Sequence, residues 1–155
     1  MILITGGAGF VGSSLALRLK QAFPGKIIVA FDNLKRRGSE LNLARLREVG
    51  VEFIHGDIRQ PGDLYIRKVE WIIKCSAEPS ALAGVDGSKD YLVHDTLFGI
   101  YHCLVLARIH HAGMIILMKS ITGEIHGFVD VSWEDIRMSL HHKEKPLTIA
   151  SMISN

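Results

Sequence analysis

Short strand-like runs and longer amphipathic stretches take turns along most of the chain. Ile2 to Thr5 has the length and content of a buried strand. The glycine-rich turn behind it leads into a stretch with apolar residues at Val11, Leu15, Leu19, Ala22 and Phe23, the spacing of one helix face, which Pro24-Gly25 ends. A second strand, Ile27 to Phe31, stops at Asp32, and Gly38-Ser39 precedes a helical stretch carrying Leu43 and Leu46 up to Gly50. Strand Val51 to His55, a short helix near Asp63 to Lys68 and strand Trp71 to Cys75 follow, then a loop rich in Ser, Pro and Gly to about Ser88. The longest helix is predicted from Val93, Leu97, Ile100, Tyr101, Leu104 and Val105, with Gly113 ending it and Met114 to Met118 as a fifth strand. From Ser120 onward the pattern weakens. Gly123 and Gly127 interrupt it, Trp133 to Leu140 reads as one helix, and His141 to Pro146 is polar.

Strands that alternate with helices at this spacing need crossover connections, so the expected fold is α/β, with a parallel sheet covered on both faces. At 155 residues and 48% hydrophobic, the chain has the profile of one domain, with no room for a second, substrate-binding one. The division expected is a nucleotide-binding unit over 1–118 and a divergent carboxyl-terminal segment over 119–155. The formal charge of +2 and the 7% aromatic content argue against a nucleic-acid partner, because neither a basic face nor a stacking ladder is present. Lys35, Arg36 and Arg37 form the one basic run, read as a solvated turn or a phosphate contact. No apolar stretch is long enough to cross a bilayer, and Met1 leads directly into the first strand without a charged leader, so a cytoplasmic protein is expected. Cys75 and Cys103 have no metal-ligand spacing and fit a reducing compartment, while His110-His111 and His141-His142 are adjacent pairs that point apart; no metal is expected.

Thr5-Gly6-Gly7-Ala8-Gly9-Phe10-Val11-Gly12 lies between a strand and a helix, where such glycines have mechanical purposes. Gly6 permits the tight turn, Gly9 lets backbone approach a pyrophosphate, and Gly12 lets the helix pack closely. Asp32, about 20 residues on at the end of the second strand, is placed to accept hydrogen bonds from ribose hydroxyls. Strand, glycine triplet, helix and acid together predict a Rossmann-type doubly wound sheet ordered 3-2-1-4-5, with a dinucleotide at its switch point. The carboxylate favours NAD, since it repels the extra phosphate of NADP; Lys35 to Arg37 leave an NADP-linked reductase as an alternative.

On these residues the chain resembles an extended short-chain dehydrogenase/reductase of the NAD-dependent epimerase/dehydratase family. The spacing Thr5-Gly6-x-x-Gly9-x-x-Gly12 is that family's form of the motif. Phe31-Asp32-Asn33-Leu34 with Arg36 and Gly38, His55-Gly56-Asp57-Ile58-Arg59, and Cys75-Ser76-Ala77-Glu78-Pro79-Ser80 are similar to its CDP-paratose 2-epimerase branch. The resemblance runs to about Met118. It implies that Phe10 and Val11 sit at the pyrophosphate, that Asp32, Asn33 and Arg36 surround the adenosine ribose, that Asp57 and Ile58 border adenine, and that Ser76 and Ala77 lie along the cofactor. For Ile58 and Ala77 ordinary core packing is the alternative.

Departures begin in the longest helix, where the family's asparagine and Gly-Thr pair are replaced by Thr96 and Gly99-Ile100. By spacing, the catalytic hydroxyl that ends the family's fifth strand would be Ser120, although serine after a strand is also a common turn residue. The family's Tyr-x-x-x-Lys pair has no counterpart. Tyr65, Tyr91 and Tyr101 all precede Ser120, and Ser139 and Lys143 reproduce only the spacing, with a hydroxyl far less acidic than a phenol. The resemblance thus implies the NAD-binding portion of a nucleotide-sugar epimerase or dehydratase, an isomerase-type chemistry, catalytically incomplete in this chain. The alternative is a non-catalytic NAD-binding module completed by another chain. A nucleotide sugar as substrate and a homo-oligomeric assembly are further expectations of the resemblance.

Overall fold

The computed structural model describes residues 1–76, 97–119, 129–130 and 147–152. Among them β1 (Ile2–Thr5) lies between β2 (Ile28–Asp32) and β4 (Trp71–Lys74). β3 (Glu52–His55) pairs outside β2, and β5 (Gly113–Lys119) outside β4, every pair parallel. This is the predicted 3-2-1-4-5 order. The sheet continues past β5, where β7 (Leu147–Met152) pairs with β5 and β6 (Val129–Asp130) with β7, again in parallel. The helix predicted over Trp133 to Leu140 and the polar run His141 to Pro146 lie outside the described residues.

Because side chains alternate along a strand, a parallel sheet with helices on both sides needs apolar residues at nearly every position. Ile2, Ile4, Ile28, Ala30, Trp71, Ile73 and Ile115 face Leu15, Ala16 and Leu19 of α1 (Phe10–Ala22) and Leu46 of α2 (Asn42–Glu48). Leu3, Val29, Phe31, Ile72, Met114 and Ile116 face Cys103, Leu106 and Ala107 of α3 (Gly99–His110), with Ile58, Leu64 and Ile66 closing that side. Each large aliphatic side chain removed from water in this way contributes about 1.5–3 kcal/mol, and together they make the strand ends a rigid platform. Both cysteines are free and belong to the packing. Burial pushes the Cys103 thiol up to about 11 and the Cys75 thiol up to about 12, far from the thiolate that nucleophilic chemistry needs.

Two local expectations change. The short helix predicted near Asp63 to Lys68 is instead a single 3-10 turn, Pro61–Leu64. Leu64, Ile66 and Val69 all point into the core while Tyr65 is exposed, a spacing that one helix face does not provide, and Lys68 turns left-handed at φ +60. In α3 the chain leaves the helix before Gly113. His111 takes the left-handed position at φ +50, and the Ala112 N–H donates to the Ala107 carbonyl at 2.8 Å. Gly113 instead opens β5, where a Cβ would come within 2.5 Å of the Trp71 ring. Among the described residues no helix is long and apolar enough to cross a membrane, and no three His, Cys, Asp or Glu residues are placed to share a metal ion.

Candidate functional site

β1 ends at Thr5 and the chain turns at Gly6, φ +67, in the region open to glycine. The Gly6 carbonyl accepts the Gly9 N–H at 3.0 Å and closes the turn. Gly9 then caps α1 in extended conformation, with no side-chain hydrogen bond at the cap and no acidic residue in the first helical turn. The helical ladder starts where the Ser13 N–H donates to the Gly9 carbonyl at 2.9 Å. The N–H groups of Phe10, Val11 and Gly12 therefore precede the ladder at the positive end of the helix dipole, an arrangement that holds anions. Phe10 is 84% exposed at this mouth, and Val11 is half-buried.

The glycines of the turn differ in what they tolerate. At Gly12 a Cβ would lie 2.2 Å from the Gly6 carbonyl oxygen, and at Gly7 it would lie 2.6 Å from Ala30 Cα. The close approach of turn to strand thus falls to Gly7, while Gly12 packs on the turn's own backbone. At Gly9 the one neighbour is the Gly6 oxygen, at 3.2 Å. Space outside Gly9 is open, so folding alone makes little demand for glycine there, whereas a group seated against the turn would.

Asp32 closes β2 and grips this turn. Its Oδ2 accepts the Ala8 N–H at 3.1 Å and its Oδ1 the Leu34 N–H at 2.9 Å. From the other side, Asn42 of α2 donates its Nδ2–H to the Ala8 carbonyl at 2.7 Å, so the turn is held between two elements. Asn33 Oδ1 accepts the Lys35 N–H at 3.0 Å. The two successive side-chain turns hold Leu34 left-handed at φ +52, a strain of about 1–3 kcal/mol for a non-glycine residue. Asn33 Nδ2 donates to Asp57 Oδ2 at 3.0 Å, tying the end of β2 to the loop after β3. The Arg59 side chain clasps the same carboxylate and, with the Asn33 bond, holds it well below the usual range, so Asp57 is charged at any working pH. Ile58 is buried against α3, and its carbonyl accepts the His102 Nδ1–H at 2.8 Å. Lys35, Arg36 and Arg37 are exposed beyond this loop.

At the end of β4, Ser76 Oγ lies 2.9 Å from Thr5 Oγ1, and the buried Lys74 ammonium donates to the Ser76 carbonyl. Gly6, Gly9, Phe10, Val11, Gly12, Asp32 and Ser76 therefore gather at the carboxyl ends of β1, β2 and β4, where the strand order reverses; Asn33, Asp57 and Ile58 extend the row to β3. Ala77 and Ser120 lie outside the described residues, as do Ser139 and Lys143. The sequence pattern does not single out Asn42 or Lys74, whose places beside the row come from packing that no local period encodes.

A model of the NAD dependent epimerase/dehydratase family matches residues 2–127. The chain belongs to the NAD dependent epimerase/dehydratase family. A CDP-paratose 2-epimerase from Salmonella typhi is 49% identical over 65 residues, 41% of this chain and 18% of that protein. A dTDP-glucose 4,6-dehydratase from Streptomyces niveus is 28% identical over 142 residues, 86% of this chain and 41% of that one. The chain thus spans less than half the length of these family members. Among solved structures, a dTDP-glucose 4,6-dehydratase from Streptomyces venezuelae, with NAD bound, superposes with a TM-score of 0.63 at 29% identity, over 85% of this chain and 42% of that one. The Helicobacter pylori ADP-L-glycero-D-manno-heptose-6-epimerase shares the fold, with a TM-score of 0.68 at 24% identity, over 86% and 43% of the two chains. The epimerase/dehydratase family is NAD-dependent by its description, as the carboxylate at Asp32 leads one to expect.

Proposed function

We propose that this chain holds NAD across the carboxyl ends of β1, β2 and β4 and is the cofactor-binding part of a nucleotide-sugar epimerase or dehydratase of the cytoplasm. The observation that carries the reading is the uncapped start of α1 with open space at Gly9, bound directly to the Asp32 carboxylate through Ala8. The residues present fit the group. The amides of Phe10 and Val11 would receive the pyrophosphate, and Asp32, which uses one lone pair on each oxygen internally, retains acceptor capacity for ribose hydroxyls. Asn33 and Arg36 would flank that ribose, Asp57 and Ile58 the adenine, and Ser76 and Ala77 the nicotinamide half. When bound, NAD supplies a hydride acceptor for a sugar carbon; the chain's own part is to position it, with Ser120 as the candidate to hold a sugar hydroxyl. The 49% identity to a CDP-paratose 2-epimerase favours a CDP-linked sugar as the substrate.

Calorimetric titration tests the cofactor assignment. NAD is expected to bind at least about 10-fold more tightly than NADP, because a 2′-phosphate would face the Asp32 carboxylate at short range. Asp32→Asn is expected to narrow that ratio. Equal affinities, or a preference for NADP that survives replacing Arg36 and Arg37 by alanine, would overturn the role given to Asp32.

A further inference from the structure

The face of α2 that looks toward α1 carries Asn42 and, one turn on, Arg45. Arg45 reaches across to the first turn of α1, where its guanidinium donates to the fully buried Ser13 Oγ at 2.6 Å, and Ser13 Oγ donates in turn to the Phe10 carbonyl at 3.3 Å. Its Nε is buried without a hydrogen-bond partner, and among the described residues its charge makes no ion pair. A buried, unsatisfied cationic nitrogen is unfavourable, and so is a cation near the positive end of a helix dipole. The second penalty is relieved when an anion occupies the turn.

We infer that Arg45 is a positioning residue for the pyrophosphate: through Ser13 it fixes the first turn of α1, and it supplies a standing positive charge beside the Phe10 and Val11 amides. The inference rests on the reading of that turn as a dinucleotide site. Arg45 does not touch the ligand in this arrangement; it acts through the turn and through the field. A neighbouring unit charge that is partly screened changes affinity for an anion about three- to fivefold, and the effect fades as salt shortens the Debye length.

The test is NAD affinity at low salt and at about 0.5 M salt for the wild-type chain and for Arg45→Gln, Arg45→Lys and Ser13→Ala, each first checked by thermal melting. Arg45→Gln removes the charge and, being shorter, the bond to Ser13 as well, a loss that Ser13→Ala reads by itself. It is expected to bind about three- to fivefold more weakly than Ser13→Ala at low salt and to equal Ser13→Ala at high salt, and Arg45→Lys to retain most of the low-salt affinity. Ser13→Ala, with the charge kept, is expected to keep the wild-type dependence on salt. A loss in Arg45→Gln that is the same at both salts and is matched by Arg45→Lys would mark Arg45 as structural only and overturn the inference, as would no loss at all. Should Arg45→Gln fail to fold, wild-type salt dependence in Arg45→Lys beside a flattened one in Arg45→Met upholds the inference, and equal dependence in the two overturns it. Failure of the wild type to bind NAD overturns the cofactor reading itself, which these arms keep separate.

Discussion

Replacing Gly9 by valine is expected to leave a folded chain that no longer holds NAD, with affinity lower by about 100-fold or more. A charge-assisted hydrogen bond contributes about 1.5–3 kcal/mol, and losing two of them at a blocked pyrophosphate reaches that range. The fold is expected to survive because the added Cβ meets only the Gly6 carbonyl oxygen, at 3.2 Å, with open space beyond. Gly12→Val is the contrast. Its Cβ would lie 2.2 Å from the same oxygen, inside a backbone turn that cannot shift without breaking the Gly6–Gly9 bond, so overpacking of at least about 3 kcal/mol is expected to lower Tm by roughly 10 °C. Thermal melting and NAD titration of both variants separate the two roles. Unchanged affinity in a folded Gly9→Val chain would reduce Gly9 to a turn residue.

The second large effect concerns turnover. The 155-residue chain with NAD added is expected to convert no detectable CDP-paratose. Its three tyrosines, Tyr65, Tyr91 and Tyr101, all precede Ser120, and none has lysine four residues beyond. A matched base is worth about 10²–10⁴ in rate, and a serine hydroxyl does not replace a phenol of lowered pKa. Chromatography of the sugars after incubation is the assay. Product above a no-protein control, lost in Ser120→Ala or Lys143→Ala, would overturn this expectation and place a working base in this segment.

Much of the fold was legible because the pattern is local. Apolar runs separated by amphipathic stretches specify parallel strands and crossover helices, and the glycine turn with Asp32 marks where the order reverses. The 3-10 turn at Pro61–Leu64 was not legible, since Leu64, Ile66 and Val69 are buried by tertiary packing and not by helical period. Gly113 reads as a helix stop, yet its requirement is set by the Trp71 ring on the neighbouring strand, 42 positions earlier by register. The site shows the same division. Gly6, Gly9, Gly12 and Asp32 announce themselves by spacing, whereas Asn42 and Arg45 enter the site through bonds to Ala8 and Ser13, more than 30 residues away, and nothing in α2 read alone distinguishes them from a solvated helix face.

The most direct measurement is amide chemical-shift mapping of the isotopically labelled chain during titration with NAD. The largest shifts are expected at Ala8, Gly9, Phe10 and Val11, with secondary shifts at Leu34 through Asp32 and at Ser76, and with saturation at a single affinity. Shifts confined to the face of α3 around Tyr101 and His102, or no shifts at all, would contradict a dinucleotide site at the start of α1.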